Sequence, residues 1–294
     1  MPRWLVAVNR RAGRSSTSPG SIEEIVRSVG LDYEIAVPGT AQEMATTLVD
    51  AAGRGINHFA LAGGDGTVSL AANALLPLGT DQPPVIGVLP VGTGCDLLRT
   101  FGLPQDVAGA ARHLVTHDTY DIDVGLLDGE WGSRYFVNVA QAGVGAAAAD
   151  TATRIPRGWG TVRYPVAFLG RLPGFPRTNI TLTTEKRVVE SEALAVIFAN
   201  AQFFAGGWNV APKATMVDGR FDIQVFNCRK ARAPALVPKI IKGNHLTDPA
   251  VRRLSAAEFT LVTEPTWPVE SDGDLIGNTK VTGRVCRAAI RLKI

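Results

Sequence analysis

The stretch "INHFALAGGDGTVSLAANALLPLG", residues 56–79, decides how the chain is read. A strand-like apolar run ends at Ala62, glycines follow at Gly63, Gly64 and Gly66, and a helical pattern opens at Thr67. Strand, glycine turn and helix in that order are half of a βαβ unit. The order repeats on either side. "RWLVAVN", "LDYEIAV" and "PPVIGVLP" read as strands. "SIEEIVRSVG" reads as a helix with Ser21 as N-cap, Glu24 three residues on and Gly30 as the stop. "TAQEMATTLVDAAGRG", capped by Thr40, and "DVAGAARHLVTH" read as two more. This alternation, through about residue 118, predicts an α/β domain with a doubly wound, mostly parallel sheet. Ligands of such sheets sit beyond the carboxyl ends of the strands, where the glycines fall.

The pattern changes after "YDIDVGLL". "RYFVNVAQAGVG", "NITLTTEKRVVES", "EALAVIFANAQFF", "RFDIQVFNCR", "EFTLVTEPTWPVESDG" and "CRAAIRLKI" are strand-like, interrupted by one basic helical insertion at 151–177. The expectation is a nucleotide-binding domain over 1–122 and a β-rich domain over 123–279, with 280–294 returning to the first.

Composition narrows the partners. A chain of 294 residues with 46% hydrophobic and 19% charged residues builds a folded core. A net charge of +3 is too small to call for nucleic acid, and none is expected. A pI near 8.9 suits weak attraction to anionic surfaces, lipid headgroups included. Cys95, Cys228 and Cys286 lie far apart, with no zinc spacing and no even count for disulfides, so a reducing cytoplasm is expected. The apolar run of "MPRWLVAVNRRAG" is too short for a signal peptide. No stretch approaches the roughly 18 apolar residues of a spanning helix.

The glycine turn carries the first chemistry. Gly63, Gly64 and Gly66 are expected to adopt positive φ and to present a nest of amides to phosphate at the start of a helix. Asp65 would repel a bare phosphate, and becomes useful beside magnesium. The other reading of Asp65 is a helix N-cap in a tight turn. A second turn, "PVGTGCD", places Gly92, Thr93 and Gly94 after a strand, with Asp96 opening a helix. "VNRRAG", Asn9 to Gly13, offers a third after the first strand. Late in the chain, "SDGD" holds Asp272 and Asp274, a carboxylate turn able to take a proton from a hydroxyl. By itself it reads first as an Asp-Gly turn between strands, and "MVDGRFD", with Asp218, first as a hairpin turn.

"NRRAG", "GGDGTVSLAANAL" and "GVLPVGTGCDLLRTFGLP" resemble the N-terminal signatures of the diacylglycerol kinase catalytic-domain family, the bacterial lipid kinases and their sphingosine and ceramide kinase relatives. "FVNVAQAG", "ANAQFFAGGWNVAPKATMVDGRFDIQVF" and "VESDGDLIG" continue the likeness in the family's order, over nearly the whole chain. The resemblance implies ATP- and magnesium-dependent phosphorylation of a lipid hydroxyl, by an α/β domain followed by a β-sandwich. Asn9, Gly13, Gly63, Gly64, Gly66, Thr67, Gly92 and Thr93 match its nucleotide loops, beside which Asp65, Gly94 and Thr40 stand as further nucleotide contacts. Asp65 and Asp96 match acids of an aspartate–water–magnesium network. Asp272 matches the acid that takes the hydroxyl proton, Asp274 a neighbouring acid, usually glutamate, and Asp218 a structural metal position. Two departures stand out: Cys95 replaces a usual Asn, and Pro38 a usual Thr, with Thr40 two residues on.

"GVGAAA", Gly143 to Ala148, imitates a dinucleotide fingerprint. That fingerprint wants an acid about 20 residues on, and residues 151–184 contain none. The acid-free segment sets Arg154, Arg157, Arg163, Arg171 and Arg177 among Trp159, Tyr164, Phe168 and Phe175. It reads either as a patch for a membrane surface, giving a protein peripheral to the inner membrane face, or as a helix packed on the second domain. A lipid substrate and a homodimer complete the expected partners. Two rival functions remain: a kinase of a soluble substrate, like the NAD kinases, and a non-catalytic lipid- or nucleotide-binding relative.

Overall fold

The computed structural model describes residues 2–10, 18–91 and 95–294, and the chain divides into two units. Unit 1 takes the residues up to 123 together with 287–294. Its described elements are β1 (Trp4–Val8), α1 (Pro19–Ser28), β2 (Tyr33–Ala36), α2 (Ala41–Gly53), β3 (His58–Gly63), α3 (Asp65–Leu75), β4 (Val85–Pro90), α4 (Asp96–Thr100) and α5 (Val107–Leu114). Strand β5 (Thr119–Gly129) leads into unit 2, residues 124–286. There follow β6 (Gly132–Phe136), β7 (Val139–Gly143), α6 (Val144–Arg154), α7 (Arg163–Arg171), β8 (Thr178–Thr184), β9 (Val188–Ala193), β10 (Ala195–Ala199) and β11 (Phe221–Phe226). Then come α8 (Ala233–Ile241), β12 (Val251–Ala256), β13 (Glu258–Glu264), β14 (Pro268–Ser271), β15 (Asp274–Asn278) and β16 (Val281–Lys293), whose end belongs to unit 1.

In unit 1 the strands lie in the order β2-β1-β3-β4, with the end of β16 beside β4, and these four pairings are parallel. Both faces are covered, so β1 and β4 are buried at every position, as their unbroken apolar runs require. Trp4, Val6, Ala60, Ala62 and Leu89 on one face pack with Ile22 and Val26 of α1 and Ala111 and Leu114 of α5. The chain leaves β1 for β2 on one side and returns to β3 on the other, so the strand order reverses between β1 and β3. Asn9 and the first glycine turn sit at the carboxyl ends of those two strands. The amide of Asn9 donates to Ala62 O at 3.0 Å.

Helix α1 begins earlier than its pattern suggests. Ser18, not Ser21, is the N-cap, its hydroxyl accepting from Ser21 N at 3.1 Å. Pro19 presets the first helical φ, so the helix gains a turn that apolar spacing does not reveal. Gly30 does end it, at φ 75°.

Unit 2 is a sandwich of antiparallel strands. One sheet runs β12-β11-β10-β7-β14-β15. The other sets β13 between β8 and β16, with β9 outside β8 and β6 paired to β5. Phe198 stacks on Phe259 across their core, ring centroids 3.7 Å apart. Period-two geometry explains why β10 is buried throughout. Val196 and Phe198 enter the sandwich core, whereas Ala195, Ile197 and Ala199 face a second apolar layer with Val144 of α6, Phe168 of α7 and Leu236 of α8.

Two elements differ from the sequence reading. Helix α8 falls where only strands and turns were expected, because Pro234 and Pro238 break up its apolar pattern. The strand read through "AQAGVG" stops at Gly143, where α6 begins. Gly143 has φ 102°, and a Cβ there would lie 2.5 Å from Leu194 O. That glycine serves a close backbone approach.

Candidate active site

In unit 1 the first glycine turn closes on α3. The side-chain amide of Asn9 donates to Thr67 Oγ1 at 2.9 Å, tying the end of β1 to the first turn of that helix. The three glycines have distinct reasons, and positive φ is not among them: none adopts it, and Gly64 sits at φ −123°. A Cβ on Gly63 would lie 2.1 Å from Thr67 Oγ1, so Gly63 makes room for that threonine. A Cβ on Gly64 or Gly66 would meet no protein atom within 4 Å. Those two open onto space at a helix N-terminus that no side chain caps, a cradle suited to phosphate oxygens.

Asp65 caps a helix, but not its own. Its carboxylate accepts from Asp96 N at 2.9 Å and Leu97 N at 3.0 Å, closing the N-terminus of α4. Cys95 donates its thiol to Asp65 Oδ1 at 3.2 Å. Burial, then the Asp65 charge, hold that thiol well above its ordinary pKa, so Cys95 stays a protonated donor. Asp96, itself buried, pairs with Arg99. Among the described residues no group of three or more His, Cys, Asp or Glu gathers to hold a metal. A magnesium ion arriving with a triphosphate needs only one or two protein carboxylates. With its oxygens turned to the α4 amides, Asp65 suits contact through water. Gly13, Gly92, Thr93 and Gly94 lie outside the described residues. Thr40 serves as the N-cap of α2, its hydroxyl accepting from Glu43 N at 3.1 Å.

In unit 2 the "SDGD" turn links β14 to β15. Asp272 has φ 48°, a left-handed conformation uncommon outside glycine. Three successive amides secure its carboxylate: Val137 N at 2.7 Å, Asn138 N at 2.9 Å and Val139 N at 3.2 Å. Asp272 N in turn donates to Val139 O at 3.0 Å. The side chain is partly exposed and fixed in direction. Asp274 is exposed and pairs with Arg134 at 2.9 Å. Asp218 caps its own turn, accepting from Arg220 N at 3.0 Å.

Three residues went unnoticed in the sequence as site candidates. Glu270 is fully buried on β14 and accepts from Gln141 Nε2 at 2.7 Å and from Gly273 N. Burial pushes its pKa up to about 8. Gln141 also lies 3.2 Å from the hydroxyl of Tyr164, a half-buried side chain whose pKa burial raises. Gln141 and Tyr164 supply the polar part of a pocket otherwise walled by Val139, Val144, Phe168, Ile197, Trp208, Phe226, Leu236 and Ile240. The only sequence signal was Glu270 two positions before Asp272; its burial is a tertiary fact.

The basic segment is mostly tied down. Arg154 pairs with Asp150, Arg163 Nε donates to Ala152 O at 3.1 Å, Arg171 Nε to Thr151 Oγ1 at 2.6 Å, and Arg177 pairs with Glu192. Its apolar side chains are the exposed feature: Trp159, Val162, Val166 and Leu169, at helical spacing, are 55%, 53%, 39% and 50% exposed.

Comparison with known proteins places both units in known families. Residues 3–127 match the diacylglycerol kinase catalytic domain, and residues 138–294 the YegS C-terminal NAD kinase beta sandwich-like domain. A diacylglycerol kinase of Mycobacterium tuberculosis is 33% identical over 251 residues, covering 83% of this chain and 79% of that protein. One of Bacillus subtilis (strain 168) is 24% identical over 282 residues, covering 94% and 91%. In fold, a crystal structure of a diacylglycerol kinase from Bacillus anthracis str. Sterne matches with a TM-score of 0.75 at 19% identity, over 99% of this chain and 96% of that one. A doubly wound α/β unit joined to a β-sandwich, with these matches, defines a two-domain kinase. The chain belongs to the diacylglycerol kinase catalytic-domain family of lipid kinases.

Proposed function

We propose that the chain transfers the γ-phosphoryl group of ATP to the hydroxyl of a lipid, with magnesium. The observation that carries this reading is the Asp272 turn: a carboxylate aimed by three amides, at the end of a strand paired with β7, whose Val139 and Gln141 line an apolar pocket.

Unit 1 is the nucleotide side. The amides at the start of α3 and the open positions of Gly64 and Gly66 receive phosphate oxygens, with Asn9 and Thr67 bracing the turn. Asp65 caps α4 and, with Asp96, would hold the metal. Magnesium supplies charge neutralisation on the phosphates. Unit 2 is the acceptor side, its apolar pocket taking hydrocarbon. Asp272 accepts the hydroxyl proton as that oxygen forms a bond to the γ-phosphorus and the bond to the leaving diphosphate breaks. Asp274, through Arg134, sets the charge beside it. Thr40 and Asp218 act as caps in this reading.

The protein works in the cytoplasm at the inner membrane face. Trp159, Val162, Val166 and Leu169 enter the lipid interface there.

The test is incubation with magnesium and γ-labelled ATP against a total lipid extract and, separately, against NAD, with mass spectrometry of the product. Label in a lipid is expected. Label entering only NAD overturns the reading in favour of a soluble substrate.

A further inference from the structure

A carboxyl sealed from water costs folding free energy, and Glu270 is sealed completely. It stands on the helix-covered face of its sheet, directly opposite Gln141 on β7. Its two oxygens meet two donors of different origin. One is Gly273 N, inside the turn that carries Asp272. The other is Gln141 Nε2, 2.7 Å away, whose amide also approaches Tyr164 at the pocket. Gly145 is what lets that amide lie there, since a Cβ on it would come 2.0 Å from Gln141 Oε1. The turn holds two successive residues at positive φ, Asp272 at 48° and Gly273 at 98°; glycine adopts this freely, whereas Asp272, with its Cβ, is strained there. A conformation of this kind persists only where surrounding contacts over-determine it.

We propose that Glu270 is a positioning residue: through Gly273 it clamps the turn that aims Asp272, and through Gln141 it links that turn to the polar end of the acceptor pocket. The inference rests on the lipid-kinase reading and names a residue that the reading does not require. The clamp needs only an oxygen acceptor at Gly273 N, which a glutamine also offers and an alanine does not. The titratable groups around Glu270 are Asp272 and Asp274, both of which favour its protonated form, and Tyr164 on α7. From β6 comes Arg134, paired with Asp274, and from α6 Asp150 and Arg154, paired with each other. Ionisation near pH 8 strengthens the acceptor and tightens the clamp.

The test compares wild type, Glu270→Ala and Glu270→Gln by steady-state kinetics on the phosphorylated lipid and by hydrogen exchange of the Gly273 amide. Glu270→Ala is expected to lose at least tenfold in kcat with the acceptor KM within threefold, and to exchange Gly273 at least tenfold faster. Glu270→Gln is expected to keep kcat within threefold and Gly273 protected, while the rise in kcat through pH 8 disappears. Glu270→Ala with kcat within twofold of wild type and unchanged exchange overturns the proposal. If Glu270→Ala does not fold, a rise through pH 8 retained in Glu270→Gln overturns it instead. A wild type that phosphorylates no lipid sinks the kinase reading alone, and the exchange comparison still decides the clamp.

Discussion

The carboxylate of Asp65 lies 2.9 Å from the backbone nitrogen of Asp96, thirty-one residues away, and 3.0 Å from that of Leu97. One acid on the first glycine turn therefore closes the helix that follows the second. Asp65→Ala leaves those amides without their acceptor, a loss of about 1–3 kcal/mol. Urea unfolding should show it even without nucleotide. Stability equal to wild type would mean that the contact does not matter.

The glycines are expected to separate by variant. Gly63→Ala drives a methyl onto Thr67 and costs about 1–3 kcal/mol. Gly64→Ala meets no protein atom and keeps an ordinary φ, so the folded state is unharmed. Its methyl occupies the phosphate cradle instead. Thermal denaturation with and without ATP and magnesium should show Gly63→Ala melting early in both conditions. Gly64→Ala should melt normally and gain nothing from nucleotide.

Cys95 is expected to resist alkylation in the native protein at pH 8, because burial and Asp65 keep it a thiol. Cys286 is less buried and should label first. Peptide mapping after a timed iodoacetamide pulse reads the order. Cys95→Ser retains a donor to Asp65 and should lose less stability than Cys95→Ala, the difference being about 1 kcal/mol.

Stability should depend on pH through Glu270. Folded, it holds its proton to about pH 8, whereas an exposed glutamate releases it near 4.5. The native state thus binds more protons across that window, and stability falls as pH rises through it. Glu270→Gln removes this slope, and gains about 1–3 kcal/mol on wild type between pH 5 and pH 8. Parallel slopes from urea unfolding at the two values would contradict the burial effect.

Vesicle sedimentation separates apolar insertion from charge. Trp159→Ala/Leu169→Ala is expected to lower binding to anionic vesicles at least threefold with stability unchanged, since both side chains face water. Arg171→Ala should instead lower stability by about 1 kcal/mol, because Arg171 holds Thr151. Full binding by the double variant would exclude the stripe.

The local grammar of the chain was enough for the parallel α/β domain and for a β-rich second one; the sandwich was expected from the family resemblance. Unbroken apolar runs such as "WLVAV" and "VIGVLP" mark strands covered on both faces, and the helices between them dictate a parallel sheet. The glycine turn could be picked out for the same reason, since chemistry confined to a few consecutive residues leaves a trace in their order, whereas Asp272 was singled out only through the resemblance of its stretch to the family's. What a side chain touches across the fold leaves none. Only the tertiary structure turned Asp65 from a cap of its own helix into the cap of α4, because its partner amides lie about thirty residues on. It alone took the glycines out of positive φ, tied down most of the arginines of the basic segment, and sealed Glu270 opposite Gln141. Burial and long-range pairing are sums over neighbours brought together by folding, and no window of sequence contains them.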